Sequence, residues 1–163
     1  MDKQTFEIAS MTHLSPIPSA EIRTVHKVID VVTNKRLEFI NITDRLNEIV
    51  RHSAVCTGLL HVQSLHTTAG VLVSEWQDAL IEDTKSFLNQ LVCHDNYWRH
   101  NDPKYSDCER KNADSHIRGL LIGPSLSLQV RDSSVLLGTW QNILLAELDG
   151  PRMRSLSIQV SGI

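Results

Sequence analysis

Alternating hydrophobic and polar positions predict β-strands over much of the chain. Residues 22–42 are rich in β-branched residues, and the polar pair Asn34 and Lys35 in their middle predicts a hairpin. Residues 58–65 predict a buried strand because apolar side chains occupy parts of both faces. Three further strands are expected over residues 126–130, 139–148 and 155–160.

Two helices interrupt these strands. Thr43 is a predicted N-cap for a short helix over residues 44–53. Asp78 is the predicted cap of the clearest helix, whose apolar face repeats at three- and four-residue steps as Leu80, Ile81, Thr84, Phe87, Leu88, Leu91 and Val92. Residues 112–125 predict only a helical turn. The order of elements lacks the regular βαβ alternation of a doubly wound fold, so we expect an α+β protein with mainly antiparallel pairing.

The length of 163 residues suits one domain. We assign residues 22–163 to that domain and residues 1–21 to an N-terminal extension. Within the extension, Thr5 to Ala9 predict a short strand, whereas Pro16 and Pro18 favour an irregular arm.

Composition restricts the classes of function. Hydrophobic residues make up 41% and charged residues 21% of the chain, with a formal net charge of -3. A pI near 6.2 argues against a dedicated nucleic-acid binder, which needs a basic surface. We see no signal-peptide pattern and no apolar run of membrane-spanning length. The cysteines Cys56, Cys93 and Cys108 lack CxxC spacing, so no disulfide framework is expected. These features favour a cytoplasmic protein with no nucleic-acid or membrane partner.

The polar stretch from Tyr97 to His116 lies between two apolar segments and contains two histidines. Long loops in compact domains are usually functional or disordered. The aromatic residues Tyr97, Trp98 and Tyr105 favour the ordered case, so we expect a functional site here. Within the stretch, residues 103–111 are expected to be a variable surface excursion.

Three histidines are candidate metal ligands: His66 at a strand end, His100 in the loop and His116 at its close. Catalytic zinc sites commonly use three protein ligands and leave a fourth position open. The spacing matches no known zinc motif, so ordinary surface or hydrogen-bonded histidines are the alternative.

Carboxylate and guanidinium groups near the C-terminal end offer further chemistry. Glu147 shares strand parity with Gln141, which predicts that both project from one face. A buried carboxylate there would be a candidate acid or base, and a strand-end group reaching water is the alternative. Arg152 and Arg154 alternate, so together they could bind a phosphate or carboxylate, or form an ordinary solvated strand end.

Several segments together resemble the YjbQ family, in their order and spacing as well as their residues. The resemblance covers roughly residues 22–160 and rests on FINITD at 39–44, LHTTAGVLVSE at 65–75, YWRHND at 97–102, NADSH at 112–116, LLIGPS at 120–125 and LGTWQNILLAELDGPR at 137–152. It implies a mainly antiparallel β-sandwich with two main helices and a homotrimer. It also implies a secondary thiamine-phosphate-synthase-type activity, which joins a pyrimidine diphosphate to a thiazole phosphate.

The resemblance also implies roles for individual residues. A divalent metal, zinc or magnesium, would be held by His66, His100 and His116. The catalytic candidates are Glu147, Asp102 and Gln141. The substrate-binding candidates are Arg152, Thr67, Thr68 and Glu75. Ser74 and Trp76 depart from the family's usual asparagine on either side of Glu75, which affects the rim of the pocket.

Two functions follow from these features. The first is a metal-assisted enzyme that acts on a small phosphorylated substrate, since the histidines and arginines suit a metal and an anion. The second is a protein that binds or senses such a metabolite without catalysis, since no self-sufficient catalytic motif is present.

Overall fold

The computed structural model describes residues 21–163, so the predicted strand at Thr5 to Ala9 lies outside the described part. Three α-helices are present: α1 (Thr43–Ser53), α2 (Asp78–Leu91) and α3 (Ala113–Ile122). A short 3-10 helix covers Arg99–Asn101. The strands are β1 (Arg23–Val32), β2 (Glu38–Asn41), β3 (Gly58–Ser64), β4 (Ala69–Glu75), β5 (Ser125–Arg131), β6 (Ser134–Val135), β7 (Gln141–Glu147) and β8 (Met153–Gly162).

The strands form two sheets. The larger sheet has the order β1-β8-β3-β5-β6, and the smaller one has the order β2-β7-β4. Each pairing in both sheets is antiparallel. The predicted α+β class with mainly antiparallel pairing is therefore confirmed, with three helices where two main ones were expected. None of the helices within residues 21–163 has the length and apolar character to cross a membrane.

The predicted hairpin over residues 22–42 is wrong. β1 pairs with β8 over ten residues, whereas β2 pairs with β7 in the other sheet. The polar turn instead carries the chain from one sheet to the other, and the backbone N–H of Asn34 donates to Glu38 Oε2 at 2.7 Å within it. Val31 before this turn and Phe39 after it belong to different hydrophobic clusters. Burial in two separate cores explains why the two strands separate.

Strand β7 lies between these two cores and is buried on both faces. Ile143 and Leu145 pack in the core shared with the larger sheet and α1. Leu144 and Ala146 face the opposite way and pack in the second core, which includes residues of α2. Successive residues of a strand point to opposite faces, so one apolar run serves both cores. The smaller sheet is thus the middle layer.

The helices begin differently from the sequence-based expectation. Thr43 is the first residue of α1, and its hydroxyl accepts a hydrogen bond from the backbone N–H of Ile143 at 2.8 Å. The Thr43 side chain therefore binds a backbone amide of β7 and does not cap the helix as predicted. In α2, the side chain of Gln77 accepts from the N–H of Leu80 at 2.8 Å, so Gln77 is the cap where Asp78 was expected.

Helix α3 spans ten residues where only a helical turn was predicted. His116 consequently lies on a helix, and the preceding loop ends at Asn112. Close packing of α3 on β4 requires Gly70, because a Cβ there would lie 2.6 Å from the carbonyl oxygen of Gly123. This contact fixes the distance between the helix that carries His116 and the small sheet.

Candidate functional site

The end of β7 and the turn that follows bring two carboxylates, Glu147 and Asp149, into the interior. Gly150 allows this turn to approach the turn after β1, since a Cβ at Gly150 would lie 2.4 Å from the carbonyl oxygen of Lys35. The N–H of Gly150 also donates to the carbonyl of Arg36 at 3.1 Å. The side chain of Arg36 is thereby placed beside Asp149.

Glu147 is fully buried and each of its oxygens accepts two hydrogen bonds. Oε2 accepts from Thr33 Oγ1 at 2.8 Å and from Arg154 Nε at 2.7 Å. Oε1 accepts from the N–H of Asp149 at 2.7 Å and from Arg154 Nη2. A carboxylate with both oxygens occupied in this way is held in place and has little capacity to accept a substrate proton. The geometry therefore favours a structural role for Glu147 over the predicted acid–base role.

Asp149 is the centre of a group that we call the arginine cluster, made of Asp149, Arg36, Arg110, Arg152 and Asn112. Asp149 Oδ2 accepts from Arg110 Nε at 2.9 Å and from Asn112 Nδ2 at 2.7 Å. Arg152 Nη2 lies 3.2 Å from Oδ2, and Arg36 Nη1 lies 3.5 Å from Oδ1. Three guanidinium groups thus meet at one buried carboxylate.

These contacts set the ionisation of Asp149. Burial raises the pKa of a carboxyl group, but the hydrogen bonds from Arg110 and Asn112 and the positive charges of Arg110 and Arg152 outweigh it. The net effect lowers the pKa of Asp149 below its ordinary value. Asp149 is therefore a fixed negative charge at neutral pH and holds the arginines in place.

Arg36 links the arginine cluster to a second buried carboxylate, Asp114 at the start of α3. Its Nη2 donates to Asp114 Oδ1 at 3.1 Å. His94 Nδ1 lies 3.1 Å from the same oxygen, and Arg118 Nη1 lies 3.4 Å from Oδ2. Asp114 is fully buried, so these partners compensate its charge.

The whole network carries excess positive charge. It contains five arginines (Arg36, Arg110, Arg118, Arg152 and Arg154) against three carboxylates (Asp114, Glu147 and Asp149), a net charge of +2. The side chains of Arg118 and Arg154 are 3% and 1% exposed, whereas those of Arg36, Arg110 and Arg152 are 40%, 53% and 29% exposed. The excess charge is therefore presented to solvent by the arginine cluster. Arg152 and Arg154 were predicted to bind an anion together. Arg154 is not available for this because it is buried and forms an ion pair with Glu147.

His100 and His116 form a histidine pair, with ring centroids 5.0 Å apart and planes at 90°. Both line a cleft of about 220 Å³ that also includes Trp98 and Ala113. Burial and the nearby His100 lower the pKa of His116, although Asp149 and Asp114 act in the opposite direction. The backbone N–H of His116 donates to the carbonyl of Asn112 at 3.3 Å, which puts the histidine pair next to the arginine cluster.

His66 occupies a different position. It lines a cavity of about 500 Å³ together with Leu65, Gly119 and Leu120, none of which borders the cleft of the histidine pair. Burial and the charge of Arg154 lower the pKa of His66. Within residues 21–163, no group of three or more His, Cys, Asp or Glu side chains is arranged to hold a metal ion. Within one copy of the chain, His66 therefore lines a different cavity from His100 and His116, and the three-histidine metal site stays a prediction.

Other predicted site residues lie apart from the cluster. Glu75 pairs with Gln141 at one end of the small sheet, and Ala69 pairs with Glu147 at the other. Six residue steps along a strand separate the two ends by about 20 Å. Although Gln141 has the parity of Glu147, the strand length keeps it and Glu75 away from the arginine cluster.

The remaining candidates have structural contacts. Asp102 accepts a hydrogen bond from Tyr97 Oη at 2.7 Å and another from the N–H of Lys104 at 2.9 Å. Thr68 is buried, and its Oγ1 accepts from Arg154 Nη2 at 2.9 Å. Thr67 lines the cavity that contains His66.

Sequence reasoning missed three of the residues that form this site: Arg36, Arg110 and Asn112. Arg110 corrects the expectation that residues 103–111 are only a surface excursion, because it donates two hydrogen bonds to Asp149. Asn112 belongs to the NADSH segment, in which the histidine was the predicted ligand. Arg36 carried no signal, since only the close approach of two turns brings it to the site.

The comparisons with known proteins agree with this fold. Residues 27–163 match the family model described as UPF0047 protein YjbQ-like. The chain belongs to this family. The resemblance to the YjbQ family is thereby confirmed.

Several YjbQ-like relatives cover most of the chain. A UPF0047 protein from Methanothermobacter thermautotrophicus is 38% identical over 130 residues, which are 80% of this chain and 87% of the relative. A UPF0047 protein from Methanocaldococcus jannaschii is 34% identical over 133 residues, or 81% of this chain and 91% of the relative. Neither description specifies an activity.

Crystal structures of two proteins have the same fold. A YbjQ-like protein of unknown function from Sulfolobus solfataricus has a TM-score of 0.81 and 29% identity, with 88% of this chain and 100% of the other covered. A hypothetical protein from Aeropyrum pernix has a TM-score of 0.78 and 33% identity, with 85% and 99% covered. Family membership therefore establishes the fold and leaves the chemistry to be argued from the residues.

Proposed function

We propose that this YjbQ-like protein binds a small phosphorylated molecule at the arginine cluster and acts on it there. The observation that carries the proposal is the meeting of three partly exposed guanidinium groups at one buried carboxylate, Asp149. A guanidinium has five N–H donors, and these groups use only some of them on protein atoms. The remaining donors suit the oxygens of a phosphate, which arginine binds in a planar, bidentate manner.

The charge of the network supports the same ligand. Its net charge of +2 is carried by the exposed arginines. A phosphate monoester carries a charge of about −1.5 to −2 at pH 7. The bound ligand would thus compensate the excess charge of the site.

For catalysis, the histidine pair has the better geometry among the predicted proton carriers. Its cleft is open, whereas Glu147 has both oxygens occupied and Asp102 is bound to Tyr97. A lowered pKa keeps His116 neutral near pH 7, so it is able to accept a proton. We therefore assign proton transfer to His116 and charge stabilisation to the arginines.

The specific reaction proposed is of the thiamine-phosphate-synthase type. A pyrimidine diphosphate would lose its diphosphate and become bonded to the nitrogen of a thiazole phosphate. Both reactants are phosphorylated, and the arginine cluster would stabilise the charge that develops on the departing diphosphate. The test is formation of thiamine phosphate from the two precursors by purified protein, with the Arg152→Ala variant as comparison. Absence of product at high protein concentration would exclude this reaction. Phosphate binding at the arginine cluster would then be tested separately.

Metal assistance is a further proposal with its own test. His100 and His116 supply two imidazoles, and zinc at a catalytic site commonly uses three protein ligands. We derive no step through a metal from this incomplete set. Metal analysis of the purified protein beside the His100→Ala and His116→Ala variants decides the matter: the proposal requires bound zinc or magnesium that is lost in both variants.

Binding without catalysis is the alternative function. It is favoured by the pairing of all three interior carboxylates, Asp114, Glu147 and Asp149, with arginines, which leaves the network without a free carboxylate base. This alternative predicts saturable binding of a phosphorylated metabolite with no product under any metal condition. Steady turnover that depends on His116 would exclude it.

Calorimetric titration with inorganic pyrophosphate tests the binding that both functions share. Arg152→Ala is expected to weaken binding about tenfold or more, since a hydrogen bond to a charged group contributes about 1.5–3 kcal/mol. Arg131→Ala is the matched control, because Arg131 is 71% exposed and contacts only Asp132 among the ion pairs of the described residues. Equal affinities for the two variants would contradict the proposed site.

A further inference from the structure

A second cavity, separate from the arginine cluster, lies between the turn that joins β3 to β4 and helix α3. It has a volume of about 500 Å³ and is lined by His66, Thr67 and Ala69 on one side and by Gly119 and Leu120 on the other. Binding pockets for small molecules typically have volumes of about 300–1,000 Å³. The cavity is therefore large enough for a ligand of its own.

The turn that carries His66 is held on both sides. The N–H of Ser64 donates to the carbonyl of Pro124 at 2.7 Å, and the N–H of Leu65 donates to the carbonyl of Ser155 at 3.1 Å. Ser64 Oγ also accepts from the N–H of His66 at 3.3 Å. A side chain on a backbone held in this way has a preorganised position.

The ring of His66 has a defined tautomer. Its Nε2 lies 2.8 Å from the backbone nitrogen of Ser155, and a backbone amide can act only as the donor. Nε2 is consequently the acceptor, so the proton of the neutral ring is on Nδ1. Within residues 21–163 no acceptor receives a hydrogen bond from this Nδ1–H, so a residue that lines the cavity has one free N–H donor.

The walls of the cavity are mainly apolar. Leu65, Ala69, Leu120 and Pro124 contribute to the lining, and no arginine or lysine of the described residues does so. Gly119 keeps the helix close to the turn, because a Cβ there would lie 2.8 Å from the carbonyl of Thr67. Gln63, Ser64 and Thr67 add neutral polar groups to this lining, and the described residues add no positive charge to it. A lining of this kind, with one oriented ring donor, disfavours a phosphate and favours an uncharged ligand with one acceptor.

We propose that this cavity binds a small uncharged molecule that has an apolar body and one hydrogen-bond acceptor, which receives the Nδ1–H of His66. The site is independent of the arginine cluster, so each can fail without the other. The acceptor would be a carbonyl oxygen or a ring nitrogen, and the apolar body would cover Leu65 and Leu120. Recognition rests on one hydrogen bond and on removal of apolar surface from water.

Pyridine and benzene are matched probes, because the two rings have the same size and only pyridine has an acceptor. In NMR titrations, pyridine should shift the signals of the His66 ring nitrogens and of the Ser155 amide, and the shifts should saturate at about 10 mM pyridine. Benzene should bind about fivefold more weakly, as expected for loss of one hydrogen bond. Absence of a saturable shift with pyridine, or equal affinities for the two probes, would overturn the proposal.

Two neighbouring leucines supply matched variants. Leu120 lines the cavity and is 83% exposed, whereas Leu121 is 57% exposed and does not line it. Both positions are exposed, so Leu120→Glu and Leu121→Glu should fold. Leu120→Glu should weaken pyridine binding about fivefold, and Leu121→Glu should leave it within about twofold of the wild type. Equal pyridine affinities for the two variants would contradict binding in this cavity. If a second copy of the chain fills the cavity, pyridine will shift only a monomeric variant, which also overturns the proposal.

Discussion

Glu147 and Arg154 form a fully buried ion pair that joins the two sheets of the protein. Glu147 ends β7 in the small sheet, and Arg154 lies near the start of β8 in the large sheet. Their side chains are 0% and 1% exposed, and Thr33 and Thr68 provide further hydrogen bonds to the pair. The backbone N–H of Asp149 donates to Glu147 Oε1 at 2.7 Å, so the pair supports the turn that carries Asp149.

Loss of this pair should destabilise the fold. Glu147→Gln leaves the guanidinium of Arg154 buried without a counter-charge, which typically costs about 3–5 kcal/mol. Urea denaturation should therefore show a large fall in the free energy of unfolding. Glu82→Gln is the control, since Glu82 is 71% exposed and, among the described residues, forms an ion pair only with Lys85, a surface contact that contributes little to stability. A stable Glu147→Gln protein that has lost only turnover would instead favour the catalytic role.

Gly150 should tolerate no side chain. In Gly150→Ala, the new Cβ would lie 2.4 Å from the carbonyl of Lys35 and 2.8 Å from Glu147 Cγ. We expect a loss of about 1–3 kcal/mol in unfolding free energy, together with weaker phosphate binding as Arg36 is displaced. At Gly138 the nearest atom is the flexible side chain of Gln141 at 3.3 Å, so Gly138→Ala should have a smaller effect. Thermal unfolding of both variants measures the difference, and equal shifts would contradict the role of Gly150.

Stability should decrease as the pH falls below about 6.5, the ordinary pKa of histidine. The folded state lowers the pKa values of His66 and His116, so in this range the unfolded chain binds more protons than the folded one. Proton uptake then favours unfolding. The stability that the two neutral histidines contribute is fully present only above the pKa of histidine in the unfolded chain. Urea midpoints measured across this range should vary less with pH in His116→Gln than in the wild type. An unchanged pH dependence would mean that His116 does not contribute.

We expect a homotrimer, as the family resemblance implies. Helix α2 supports association because its outer face exposes Leu80, Phe87 and Leu91, which lie seven and four residues apart. Light scattering should give a mass three times that of the 18.4 kDa chain. Phe87→Glu should lower this mass, whereas Tyr105→Glu, at an exposed loop position, should not. A monomeric wild-type protein would contradict the expectation.

The sequence predicted the parts of the fold that depend on local pattern. The alternation in residues 155–160 correctly places Leu156, Ile158 and Val160 in the core, where all three are fully buried. The long helix α2 also follows from its periodicity. The pairing of the strands was harder to predict from the sequence. β1 lies beside β8, more than a hundred residues away in the chain, and no local pattern encodes that pairing.

The site was predicted only in part, because it too depends on contacts between distant parts of the chain. Motifs identified Arg152 and His116, which lie at or near the arginine cluster. They also grouped His66 with the other histidines and Gln141 with Glu147, because a motif gives a residue type and an order but no distance. The charge network around Asp149 depends on contacts between turns, and only the folded chain displays them.

The most direct test of the account is to observe the guanidinium N–H groups while inorganic phosphate is added. NMR spectra of the arginine Nε–H signals should show saturable shifts for Arg36, Arg110 and Arg152, with no shift for Arg131. This result would place the anion at the arginine cluster. Uniform small shifts of all arginines, or a shift of Arg131 equal to that of Arg152, would contradict the proposed phosphate site.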